Sequence, residues 1–84
     1  MQVVQQATHS YPLSMAGEGE RVKIVMLKGG KGLDKRLTSL GLNVDSELLV
    51  LQRQGASLVL ARSEARFALG AGMAQKIMVC SVAD

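Results

Sequence analysis

The sequence is poor in the residues on which most small-domain chemistry depends: in 84 residues it has no tryptophan, one tyrosine, one phenylalanine, one histidine, one cysteine and one proline. With Tyr11 and Phe67 as its only aromatics, the chain has no platform on which unpaired bases stack, so nucleic acid is not an expected partner, and a proline-rich peptide groove lacks its lining for the same reason. Cys80 stands alone and makes no internal disulfide, which excludes the stapled scaffolds of small secreted proteins and points to a reducing compartment. No run approaches the roughly 18 apolar residues of a membrane span, and the stretch Met1 to Pro12 has neither the basic start nor the apolar centre of a signal peptide. A cytoplasmic location is the resulting expectation.

Catalytic groups are equally scarce. One His, one Cys and seven scattered carboxylates include no nucleophile set beside a base, so no enzyme activity is expected. His9 reads as a solvated imidazole and Cys80, between Met78 and Val82, as a small core hydrophobe. A structural zinc site needs three or four Cys or His ligands, which one chain here does not supply. No cofactor is required on this reading, and the one arrangement left for a divalent ion, Fe or Zn, is a site shared between chains, with His9, Glu18, Glu20 and Cys80 as the candidate ligands.

What the chain does have is apolar bulk, 48% of residues, with a net charge of only +3. That balance supports a folded core, and a chain this short buries roughly 60–65% of its unfolded surface, enough for one small domain and too little for a two-domain enzyme. Residues 1–12, Gln-rich and without period, read as a flexible N-terminal arm, and residues 13–84 as the domain. Leu13 to Glu20 is a glycine-containing lead-in in which Leu13 and Met15 are placed to close one end of the core.

From Arg21 to Leu27 charged and β-branched residues alternate with period two, the pattern of a half-buried strand. Lys28-Gly29-Gly30-Lys31-Gly32 follows as a loop. Leu33, Leu37 and Leu40 then recur at i, i+4 and i+7 on one helical face, and Gly41 supplies a left-handed stop with Leu42 placed for the accompanying apolar contact. Glu47–Arg53, Ser57–Arg62, Ala65–Leu69 and Lys76–Val82 read as four further short strands separated by tight connections, with a loop or single helical turn at residues 70–75. Met26, Met73 and Met78 fall in or beside apolar runs as core filler. The expected fold is mostly β: a small barrel of about five short strands, which curls to hide its edges, with one short helix inserted after the first strand.

Charge is concentrated in one place. Lys28, Lys31, Lys35 and Arg36, offset by Asp34, carry a net charge equal to the +3 of the whole chain. The Gly-Gly-Lys-Gly run beside them lacks the upstream glycine and the Ser or Thr of a phosphate-binding P-loop. A basic patch of this kind fits an acidic protein surface or anionic headgroups.

The segments Leu13-x-x-Ala16-Gly17-Glu18, Val22-x-Ile24, Lys35-Arg36-Leu37-Thr38-Ser39-Leu40-Gly41-Leu42, Ser46-Glu47-Leu48 and Ala74-x-x-Ile77-x-Val79 together resemble the FeoA family of ferrous iron transport proteins over about residues 13–82. The resemblance implies a cytosolic SH3-like barrel, accessory to the ferrous iron permease FeoB, that acts through the permease's cytoplasmic G-protein region and approaches the membrane only through that partner; a related barrel ends some metal-dependent repressors. Three places depart from the family pattern: Ala16 stands where a proline often precedes Gly-Glu, Asn43-Val44-Asp45 replaces a Pro-Gly turn, and the link at Gln54-Gly55-Ala56 is short. The expected contact surface comprises Lys28, Lys31, Lys35, Arg36, Ser39 and Leu42. The alternative is a regulatory domain that senses a divalent transition metal through intermolecular ligands. A weak homodimer is compatible with either.

Overall fold

Alternating burial along the strands, visible where Val22 and Ile24 are buried between more open neighbours, requires a sheet with one dry face. The computed structural model describes residues 9–55 and 57–82. It orders the elements as β1 (Tyr11–Pro12), a 3₁₀ turn (Leu13–Met15), β2 (Arg21–Leu27), α1 (Gly30–Ser39), β3 (Glu47–Gln54), β4 (Ser57–Arg62), β5 (Ala65–Leu69), α2 (Ala71–Ala74) and β6 (Ile77–Ser81). The strands form one antiparallel sheet in the order β1-β6-β2-β3-β4-β5. Val22, Ile24, Leu48, Val50, Leu58, Leu60, Leu69, Ile77 and Val79 all belong to one buried cluster. A sheet whose successive strands feed one cluster from one face must curl around it, which is the SH3-like form. Among the described residues no helix is long and apolar enough to cross a membrane.

The five strands expected from the sequence are present, and the sixth comes from the segment read as an arm. Tyr11 lies opposite Val79 and Pro12 opposite Met78 on β6, and the Tyr11 hydroxyl reaches Glu20 at 3.3 Å and Ser81 at 3.1 Å. The ordered domain therefore starts ahead of Leu13; the first eight residues of the proposed arm lie outside the described residues. Nor is the ring of strands closed by pairing, since β1 and β5 end the sheet.

Two bulges reset which side chains face inward. The β2–β6 register shifts between Ile24 and Met26, and the β3–β4 register between Val50 and Gln52. An extra residue on one strand reverses the inside–outside alternation beyond it. Met26, which period two would bury after Val22 and Ile24, is instead 51% exposed, and Leu27 packs against the core. On β3 the same shift places Arg53 opposite buried Leu58. Its guanidinium Nη1 there donates to the backbone carbonyls of Ser14 (2.9 Å) and Ala16 (2.6 Å), while its own N–H donates to Glu18 Oε2 (2.8 Å).

These bonds fix the lead-in. Leu13 and Ala16 are fully buried, but Met15 is 70% exposed, so it does not close the core as expected. With three bonds holding residues 14–18 against β3, the turn is tied by its backbone, and the Met15 side chain is left pointing to solvent.

Candidate docking surface

The helix α1 starts earlier than its leucine spacing suggests, at Gly30 rather than Leu33, so most of the expected glycine loop forms the first helical turn. Gly29 precedes it in close approach: a Cβ there would overlap the Leu33 side chain. Leu37 is fully buried and Leu33 packs against the core, and these two anchor the helix. Leu40 lies beyond the last helical residue and is 45% exposed, so it leaves the leucine face.

The helix ends as the sequence predicts. Gly41, at φ +82°, donates to Thr38 (2.9 Å), and Leu42 donates to Leu37 (2.8 Å), the paired bonds of a Schellman stop. Leu42 enters the same core cluster as Leu37 and is 0% exposed. Leu42 is thus no contact residue, in correction of the expectation above, because the apolar half of the stop motif requires its burial. Ser46 then closes the following turn, accepting from the Asn43 N–H at 3.0 Å.

The remaining predicted contact residues stay on the surface. Lys28, Lys31, Lys35, Arg36 and Ser39 are all exposed. At 100° per residue, Lys31, Lys35 and Ser39 stand opposite the Leu33–Leu37 face, with Arg36 on its flank. No side-chain bond engages any of the four cations among the described residues, and the Ser39 hydroxyl donates to the Arg36 carbonyl at 2.7 Å. The positive end of the helix carries Lys31 and no acid, and its negative end carries Arg36. Lys31 therefore opposes the helix dipole where an acid would favour it.

Two residues join this surface that sequence spacing did not single out. The Lys28 N–H donates to the Lys76 carbonyl at 2.8 Å, bringing a further exposed lysine from the far end of the chain. Exposed Leu40 lies one helical turn beyond Arg36 and supplies an apolar spot beside that cation. Nothing local signals Lys76; only the Leu27–Ile77 register places it there.

The candidate metal ligands are dispersed. Glu20 accepts from the Gly17 N–H at 2.7 Å and from Tyr11, Glu18 accepts from Arg53, His9 is exposed, and Cys80 lies half-buried on β6 opposite Lys23. No three His, Cys, Asp or Glu side chains gather in a group able to hold a metal ion among the described residues. An open depression of about 280 Å³ lies between β2, β3 and β4, lined by Arg21, Glu47, Leu48, Leu49, Ala61 and Ser63. It includes none of the predicted site residues.

A curled six-stranded sheet around one core, with a cationic helix inserted after β2, defines a small SH3-like module. The chain belongs to the FeoA domain family, whose model matches residues 11–80, a family of ferrous iron transport. It is 39% identical over 69 residues to the protein named "Putative Fe(2+) transport protein A" of Methanocaldococcus jannaschii, covering 82% of this chain and 84% of the relative. The crystal structure of an iron uptake regulatory protein (FeoA) is similar with a TM-score of 0.81 at 31% identity, covering 89% of this chain and 100% of that one. A manganese-dependent transcriptional repressor in complex with manganese is similar with a TM-score of 0.80 at 26% identity, over 87% of this chain and 37% of the repressor.

Proposed function

We propose that this protein is a non-catalytic cytoplasmic accessory of ferrous iron uptake that docks on the cytoplasmic G-protein region of the ferrous iron permease and modulates transport. The observation that carries the reading is α1: its outward stripe of Lys31 and Lys35, flanked by Arg36 and extended by Lys28 and Lys76, is exposed, and none of these five side chains makes a hydrogen bond or ion pair among the described residues. Lysine at the positive end of a helix detracts from stability, so its presence there is better explained by an external acidic partner than by the fold. The family membership supplies the transport setting. No cofactor has a role in this reading.

The test is an amide-resolved NMR titration with the soluble cytoplasmic region of the cognate permease, at low and then physiological salt. Shifts concentrated from Lys28 to Leu40 and at Lys76, weakening with salt, are expected. Shifts confined elsewhere, or none at any ratio, overturn the assignment.

The likeness to the manganese-dependent repressor favours one second reading, a regulatory domain that responds to a divalent ion held between chains. Calorimetric titration with ferrous or zinc ion separates the two, since the docking module binds no stoichiometric ion and the sensor does.

A further inference from the structure

The two ends of the sheet differ in how they are protected. β1 is two residues long and includes Pro12, which offers no N–H to a further strand. β5 runs from Ala65 to Leu69 without proline or lysine and pairs on one side only, with β4. Arg66 is its single charge.

The hairpin fixes which backbone groups are open. Arg62 lies opposite Ala65 across the two-residue link Ser63-Glu64. The closing pair of such a hairpin is hydrogen-bonded, and bonded and non-bonded pairs alternate from it. The pairs Leu60–Phe67 and Leu58–Leu69 are therefore bonded, which leaves the N–H and C=O of Arg66 and Ala68 pointing away from β4. Both residues are exposed, and no backbone hydrogen bond from another element reaches them among the described residues. Phe67, between them, is only partly buried against the core.

We propose that this edge joins two copies of the chain, β5 antiparallel to β5 about a two-fold axis at Phe67. The edge is complementary to itself in that register alone. Arg66 of each copy meets Ala68 of the other, so both open residues of one strand face both open residues of its mate, and four backbone bonds form. A register centred on Arg66 sets two guanidinium groups opposite each other, and one centred on Ala68 sends Arg66 past the end of the strand to Gly70. At the axis the two Phe67 rings meet at a non-bonded position, where cross-strand side chains approach most closely, and each ring covers the part of the other that the core leaves open. The contact is isologous and closes on itself, so it makes a dimer and not a fibre. It uses neither α1 nor the cations of the docking surface.

Sedimentation equilibrium of the full chain tests this. The wild type is expected to show a concentration-dependent monomer–dimer equilibrium below about 1 mM. Ala68→Lys sets lysine against Arg66 twice per dimer and is expected to weaken association by at least about tenfold. Its side chain is exposed and its backbone groups lie outside the β4 ladder, so the thermal melt of the monomer stays close to wild type. Arg66→Glu combined with Ala68→Lys restores opposite charges and recovers dimerisation, and Arg66→Glu alone, facing Ala68, leaves the dimer in place. A wild type that stays monomeric throughout, a dimer indifferent to Ala68→Lys, or a double variant that fails to recover association overturns the proposal.

Discussion

The guanidinium of Arg62, at the end of β4, lies against Gly41, the residue that stops α1: a Cβ on Gly41 would stand 3.2 Å from Arg62 Nη1. Glycine is thus favoured here first by a backbone at φ +82°, and second by the Arg62 tip, which would have to give by a few tenths of an ångström to admit a Cβ. The contact also sets a cation at the negative end of the helix dipole.

Gly41→Ala is expected to lower stability by about 1–2 kcal/mol through the left-handed backbone alone, with crowding added. In an Arg62→Ala background the same substitution costs less, because only the backbone penalty remains. Urea denaturation of the four proteins of this double-mutant cycle reads the difference, and equal costs in both backgrounds would remove Arg62 from the account.

Leu37 and Leu40, one turn apart, are expected to respond in opposite ways. Leu37→Ala empties a fully buried site and costs about 2–5 kcal/mol, whereas Leu40→Ala stays within about 0.5 kcal/mol in stability. If Leu40 belongs to the docking surface, its truncation instead lowers affinity for the permease region in the same NMR titration.

Arg53→Ala removes two bonds to the carbonyls of Ser14 and Ala16 and is expected to cost about 1–3 kcal/mol. Its local signature is faster amide hydrogen exchange at residues 16–18. Arg53→Lys rescues only part of the loss, since a single ammonium does not reproduce the planar fork. Exchange rates unchanged by Arg53→Ala would show that the lead-in is held without the guanidinium, by the burial of Leu13 and Ala16 and by the Arg53 N–H bond to Glu18.

Lys31→Glu separates stability from binding. The substitution places an acid at the positive end of α1 and is expected to raise stability by about 0.3–1 kcal/mol. Combined charge reversal of Lys31, Lys35 and Arg36 weakens binding to the permease region without unfolding the domain. A triple variant that binds as well as wild type would sink the proposed contact surface.

Much of this fold is legible in the residues. The strands Arg21–Leu27, Ser57–Arg62 and Ala65–Leu69 have the bounds that alternation and turn residues predict, and Gly41 with Leu42 announces the helix stop. What escapes is what one extra residue does to a strand. Nothing in the composition of β2 or β3 marks a bulge, yet each decides a fate, turning Met26 to solvent and Arg53 toward the lead-in. The proposed docking surface is half legible for a similar reason: Lys28 to Arg36 is contiguous, while Lys76 arrives through pairing of distant strands. Leu42 follows the cations closely in sequence, yet the stop motif requires it inside.

The placement of β6 between β1 and β2 has a kinetic consequence. β2 is flanked by β3, the next strand in sequence, and by β6, the last strand of the sheet in chain order, so that Val22 pairs with Ser81. Loop-closure entropy must be overcome before that contact returns any stabilisation. On a ribosome the sheet stays incomplete until residues near 81 have left the exit tunnel, and β2 meanwhile presents an unpaired side. Folding is therefore expected to await β6, on the time scale of roughly milliseconds to seconds typical of β-rich domains, and a truncation that removes β6 is expected to lose the cooperative thermal melt.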